Sequence, residues 1–265
     1  DLMAHPLMDA CAAEGRWVAS YDVPLGANGR VDTPEFKVPH RSAHRIKDYV
    51  EQLVRRGYSG AYGMMAWATQ ARAICGYNIA ALAEWSWNSG GRDTRSFAES
   101  WAAIEGCPDP EAFGDWAELV GPVAFDVCDS DWPICYSWGK AVRMVQRQER
   151  PVLGEGMFRY YESESSFGEK RTACERALDV AREMGLPHLE AETRVLLSYV
   201  DLAEAVYRAA ESSATLDMSS LDDQGVLERA AEALRKAGVL NGDAIRAWRQ
   251  ELGPEPWHHR VHDAI

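Results

Sequence analysis

What the 265-residue sequence lacks excludes several classes at once. No CxxC pair occurs among Cys11, Cys75, Cys107, Cys128, Cys135 and Cys174, so the common zinc-binding and thioredoxin-like spacings are missing. There is no excess of positive charge. Lys and Arg total 28 against 41 Asp and Glu, a net charge of −13, which argues against a nucleic-acid footprint and against docking on anionic lipid. No apolar run approaches the ~20 residues that span a bilayer. No charged segment leads into an apolar one near Asp1, so no signal peptide is visible. GxSxG, Walker, GxGxxG and HExxH patterns are absent, and no repeat recurs at solenoid periods.

What is present is a large apolar supply, 46% hydrophobic with 26% charged, which reads as globular rather than disordered. A core of that size does not need a disulfide framework, so the cysteines read as free thiols, with Cys128 and Cys135 the candidate exception. Ten Trp, ten Tyr and six Phe stand out. Many must be core, but flat apolar faces also suit sugar rings.

The first hundred residues alternate helix and strand. A short helix-like stretch over 2–14 closes at Gly15. Residues 16–23 read as a strand, stopped by Pro24 and followed by turn residues Gly26, Asn28 and Gly29. Ile46, Tyr49, Val50 and Leu53 recur at helical spacing before Gly57. Residues 60–67 read as a second strand whose lack of polar alternation suits a parallel sheet buried on both faces. A helix then runs from Ile74 to Trp87 and stops at Asn88, Gly90 and Gly91. This order implies parallel strands joined by crossover helices.

From about residue 105 onward the pattern is helical. Phe97 to Ile104 is a short helix, and Asp109-Pro110 opens another that should run to about Val120. A further helix is expected from about Trp138, then a connecting loop over 149–168. Ser166 and Glu169 have capping-box spacing at the head of an antiparallel helical hairpin, broken at Gly185-Leu186-Pro187. Ser220 with Asp223 opens a third helix, and Asn241 to Leu252 reads as a fourth.

The most specific stretch is Tyr58 to Ala102. A glycine-rich strand ends in Trp67, then come Leu82-Ala83-Glu84-Trp85-Ser86-Trp87-Asn88, Gly90-Gly91-Arg92 and a short helix with Trp101. This resembles the end of the catalytic (β/α)8 barrel in exo-acting glycoside hydrolases. The strand-end Trp67 and the Leu-Ala-Glu-x-x-Trp run are similar to the β-N-acetylhexosaminidases of family 20. Asn78, Trp87-Asn88 and Trp101 are similar to the α-glucuronidases of family 67. Two departures stand out. Ser89 occupies the position of a family 67 proline, and Thr69 that of a family 20 glutamate that holds sugar hydroxyls.

The resemblance implies a fold and a division of labour. Residues 1–105 would hold the last two βα units of a (β/α)8 TIM barrel, truncated at its N-terminal side, and 106–265 an α-helical domain. Function in such barrels sits at the C-terminal ends of the strands. That points to Asp22 after one strand, and to Trp67, Thr69 and Gln70, with Arg72 beside them, after the next. Trp67 would offer a flat face to a sugar ring and Asp22 an acceptor for its hydroxyls. Tyr21 alternates to the opposite side from Asp22. The carbohydrate would be cleaved at a terminal glycosidic bond by two carboxylates on earlier strands, with no cofactor and no metal required. Asp1 in place of an initiator Met agrees with a piece of a longer protein. The helical domain would cover the barrel flank or form a homodimer contact.

Other readings compete. The chain could be a non-catalytic helical interaction module, in which case both hairpin helices should carry a second, outward apolar stripe. His40 and His44, four apart, read as a solvated helix N-terminus rather than a metal site. Glu155, Glu162, Glu164 and Glu169 read as an acidic solvated loop, Glu84 and Trp87 as structural, and Arg92 as the partner of a carboxylate at the domain boundary.

Overall fold

A computed structural model describes residues 5–20, 39–61, 71–129, 135–216 and 220–252, in two compact units that divide at Phe125 and Asp126. In the first unit, α1 (Pro6–Ala13) ends at Gly15, whose φ of 74° only glycine adopts cheaply. The chain enters β1 (Ala19–Ser20), crosses through α2 (Ala43–Arg55) and returns in β2 (Gly60–Ala61). Gly57 makes that return possible. With φ 72° it lets the Tyr58 N–H bond back to the Leu53 carbonyl at 3.0 Å and turns the chain toward β1.

The two strands pair in parallel, Ala19 opposite Gly60 and Ser20 opposite Ala61. Ser59 N–H donates to the Val18 carbonyl at 2.7 Å just before the ladder. Parallel pairing across a helical connection is thus as expected. Residues 16–18, expected in the first strand, precede it as irregular chain, and 21–23 and 62–67 of the expected strands lie outside the described residues. Val18, Leu53 and Tyr58 form a small core with Met8, Cys11, Ala12 and Tyr49 packed against it. Asp9 ties α1 to this core, accepting from Arg56 at 2.9 Å and from the Tyr58 hydroxyl at 2.8 Å.

The larger core of this unit is aromatic. It joins α3 (Ala71–Trp87), α4 (Thr94–Ile104) and α5 (Pro110–Asp129). Tyr77, Trp85, Phe97, Phe113 and Trp116 are buried in it, with Phe97 at 5.2 Å from the Tyr77 ring and 5.1 Å from Trp85. Side-chain caps set two starts: Asp93 accepts from Ser96 N–H at 2.7 Å, and Asp109 from Ala112 N–H at 3.0 Å. Arg92 does pair with a carboxylate, but a local one, Glu84 at 2.8 Å, while also donating to Ser100. Trp87 has no packing role here; its ring is 93% exposed.

The expected stop at Val120 is wrong. Helix α5 continues through Gly121-Pro122 to Asp129. Pro122 and Glu118, whose carbonyl loses its intrahelical partner, both lie on the exposed side, where water can satisfy that oxygen. Gly121 lacks the Cβ that would collide with the proline ring. It also lets α5 approach α2: a Cβ there would sit 2.9 Å from His44 Nδ1 and 3.2 Å from the Arg41 carbonyl. Gly121→Ala is therefore expected to cost about 1–3 kcal/mol in chemical denaturation. Gly114→Ala should cost less, because its new methyl meets the flexible Glu99 side chain, and its cost equalling that of Gly121→Ala would contradict this.

In the second unit α6 (Cys135–Gln146) starts three residues earlier than expected. Residues 147–164 hold one 3-10 turn, Gly156–Phe158, and the carboxylates of 155–169 are exposed as expected. Helices α7 (Ser165–Glu183) and α8 (Pro187–Thr215) form the expected hairpin, turned at Gly185 with φ 66°. The expected capping box does not form. Ser163 N–H donates instead to Ser166 Oγ at 3.2 Å, and Glu169 accepts from Ser165 Oγ at 2.7 Å.

The third and fourth helices are a single helix, α9 (Leu221–Leu252). Ser220 caps it as expected, accepting from Asp223 N–H at 3.4 Å. Asn241 does not end it because its side chain is used sideways, donating to Ser198 Oγ of α8 at 2.9 Å. A buried polar pair across two helices sits where the expected fourth helix, Asn241 to Leu252, would begin.

Candidate functional site

Ser20 and Ala61 end their strands side by side. The chain leaves them into two segments, 21–38 and 62–70. These carry the four expected substrate contacts, Asp22, Trp67, Thr69 and Gln70, together with Tyr21, and all five lie outside the described residues. So do the side chains of Arg72, Cys128 and Cys135. What is described is the frame around the strand ends.

That frame is polar and buried. Ser20 hydrogen-bonds the Tyr49 hydroxyl of α2, fixing the last residue of β1 to the crossover helix. Where the first segment re-enters the described chain, Asn78 of α3 holds it. Its Oδ1 accepts from Ser42 N–H at 2.9 Å and its Nδ2 donates to the His40 carbonyl at 3.0 Å. Asn78 and Ser42 are fully buried, and His40 nearly so. One side-chain amide thus satisfies the Ser42 N–H, which helix geometry leaves open at the start of α2, and the His40 carbonyl two residues before it. Beside it the Arg41 guanidinium lies 5.3 Å from the Tyr77 ring and 5.8 Å from Trp116, and Arg45 lies 4.9 Å from Phe125.

The expectation of a solvated His40 and His44 is therefore overturned. His40 is buried, and His44 Nε2 is buried without a hydrogen-bond partner among the described residues. Burial, then the charges of Arg45 and His40, push the His44 imidazole down to about 3. It is neutral near pH 7 and cannot act there as a general acid. Among the described residues no three His, Cys, Asp or Glu side chains cluster as metal ligands would.

The lowered value has a consequence for stability. Folded His44 resists protonation between pH 6.5 and about 3, whereas unfolded His44 accepts a proton there. Stability contributed by His44 is thus complete above pH 6.5 and falls with pH by about 1.4 kcal/mol per unit. Asp9, held below the ordinary carboxylate range by Tyr58 and Arg56, adds its loss only at lower pH. Denaturant melts between pH 7 and 5 should show this slope and His44→Gln should flatten it. An unchanged slope in the variant would assign the effect to another group.

A second polar cluster lies inside the helical unit. Lys170 of α7 pairs with the buried Asp126, and its ammonium lies 5.4 Å from the Tyr161 ring. Tyr161 stacks on Phe167 at 4.4 Å, with its hydroxyl buried and without a hydrogen-bond partner among the described residues. Burial raises the phenol and pushes the nearby Cys174 thiol up to about 12. Both stay protonated near neutrality, so Cys174 is a poor nucleophile. This cluster is suited to holding helices together, not to catalysis. Sequence reading missed both clusters, although Asn78 carried a signal: a lone amide on the stripe of α3 that also holds Tyr77, Ala81 and Trp85.

A scan against protein-family models, a search of curated proteins and a search of solved structures each return no match.

Proposed function

We propose that the chain is the C-terminal portion of a glycoside hydrolase that cleaves a terminal glycosidic bond, with its catalytic carboxylates on an upstream part. In this reading residues 1–105 are the last two βα units of a TIM barrel and 106–265 a helical domain. Asp22, Trp67, Thr69 and Gln70 line the sugar pocket.

One observation carries the reading: among the described residues the parallel sheet is covered on one face only. Val18 and Ser20 are buried toward Leu53 and Tyr49 of α2. Ala19 and Gly60 share the opposite face by register, and Trp17 packs on Gly60 there. Trp17 is 74% exposed there, with its indole 3.4 Å from the place of a Cβ on Gly60. Parallel sheets are covered on both faces, and in a barrel the face away from the helices is the packed interior. Further strands would bury Trp17 and close that interior. The strand ends then bring Asp22 and the Trp67 segment to one rim.

The interaction-module reading loses its discriminating feature. The second apolar stripe it needs on α7 and α8 is absent, since no large hydrophobic residue between 165 and 215 is exposed. The test is turnover of a panel of aryl glycosides by the chain extended upstream and by residues 1–265 alone. The extended protein should release the aryl group and the shorter chain should not. Trp67→Ala in the active form should lower kcat/KM tenfold to a hundredfold, about 1.4–2.7 kcal/mol of lost ring contact. Absence of turnover by a folded, extended protein would overturn the reading.

A further inference from the structure

Helix α9 buries Ala237, Asn241 and Trp248 on its inner face. The opposite face carries Glu232, Arg235, Val239, Asp243 and Arg246, which the 3.6-residue turn sets in one line. All five are exposed. Val239 is 57% and its neighbour Leu240 51% accessible, although both are large and apolar. Glu232 pairs within the helix with Arg235, and Asp243 with Arg246.

The order of charge along this line has a particular symmetry. Glu232 lies seven residues before Val239 and Arg246 seven after it. Arg235 lies four before and Asp243 four after. Each of these four charges is matched by its opposite at the same distance on the other side of Val239, while the exposed Glu228 and Lys236 fall opposite the uncharged Gln250 and Gly242. A face of this kind is complementary to itself only when reversed. Two parallel copies in register would set Glu232 against Glu232 and Arg235 against Arg235. Two antiparallel copies would set Glu232 against Arg246 and Arg235 against Asp243, twice each.

We propose that this outward face of α9 is the docking surface for a second copy of the chain, with the helices antiparallel across a two-fold axis at Val239. Such a contact is isologous and closed, so it stops at two copies. The two Val239 side chains meet at the axis, and the two Leu240 side chains lie along the same edge of the contact. Each intrahelical ion pair keeps its neighbour and joins the oppositely ordered pair of the other copy, which gives two four-charge clusters. One helix pair buries less than a standard stable interface, and each copy carries a net charge of −13, so the dimer belongs to the weak class. This inference is independent of the glycosidase reading, since it uses α9 alone.

Sedimentation equilibrium of the 265-residue chain over rising concentration tests it, with helix content followed by circular dichroism. The wild-type chain should shift from monomer to dimer. Glu232→Arg and Arg246→Glu should each weaken association by about tenfold or more, the double exchange should restore it, and Val239→Asp should abolish it. These side chains are exposed, so helix content should stay constant. A chain that is monomeric throughout would overturn the proposal. So would a dimer indifferent to the single reversals, or one that the double exchange fails to restore. Binding of a different protein to this face without self-association would assign it to another partner.

Discussion

Asn78→Leu is expected to destabilise the first unit by about 2–6 kcal/mol. The isosteric apolar side chain removes the two Asn78 amide bonds to the buried Ser42 N–H and His40 carbonyl. Each bond lost from a buried backbone group costs about 1–3 kcal/mol, because water that would replace it is excluded. No packing term offsets this, since Asn78 has no exposed surface. Chemical denaturation measures the loss, and hydrogen exchange at the Ser42 amide locates it. Asn78→Asp retains the acceptor for Ser42 and loses the donor to His40, so the exchange rate at Ser42 separates the two bonds. A cost below about 1 kcal/mol for Asn78→Leu would show that water replaces the amide.

Lys170→Met is expected to cost the helical unit about 3–5 kcal/mol. The substitution keeps the aliphatic length of the side chain and removes the ammonium that pairs with the Asp126 carboxylate, which is more deeply buried than its partner. The penalty is that of taking the cation from a buried carboxylate, not the net worth of the pair. Pairing Lys170→Met with Asp126→Leu should therefore recover most of the stability, because the desolvation cost of both ions disappears together. Denaturant titrations of the two singles and the double close the cycle. A double variant as unstable as the Lys170 single would show that Asp126 serves the fold through other contacts.

Much of this fold was legible because helix ends carry local chemistry. Gly15, Gly57 and Gly185 mark the ends of α1, α2 and α7, and Asp109 and Ser220 the starts of α5 and α9, whereas the Asp93 cap of α4 lies upstream of the expected start at Phe97. The misreadings arose where tertiary contact overrides a local signal. Pro122 is tolerated because its unpaired carbonyl neighbour faces solvent, which a sequence window does not reveal. Asn241 resembles a cap until Ser198, more than forty positions away, becomes its partner. His40 and His44 look like surface residues at a helix start, and only the close approach of Gly121 to His44 shows that α5 reaches it. Parallel pairing of the two strands followed from their order and apolar runs, while the proposed barrel rests on resemblance and on a sheet face left uncovered among the described residues.

The same distinction separates frame from site. Ser20, Tyr49 and Asn78 form the frame and are fixed by hydrogen bonds. Asp22, Trp67, Thr69 and Gln70 lie beyond the described residues, and the roles proposed for them rest on the resemblance together with their position in sequence after paired strand ends. That pairing explains why two segments so far apart in sequence would serve one pocket.

The sequence of the transcript upstream of the codon for Asp1 tests the central claim most directly. An in-frame extension of several hundred residues is predicted, with alternating strand and helix patterns and a pair of carboxylates at a strand end. Those strands would cover Trp17 and complete the barrel. A start codon or an in-frame stop close upstream would remove the catalytic pair and contradict the glycosidase account.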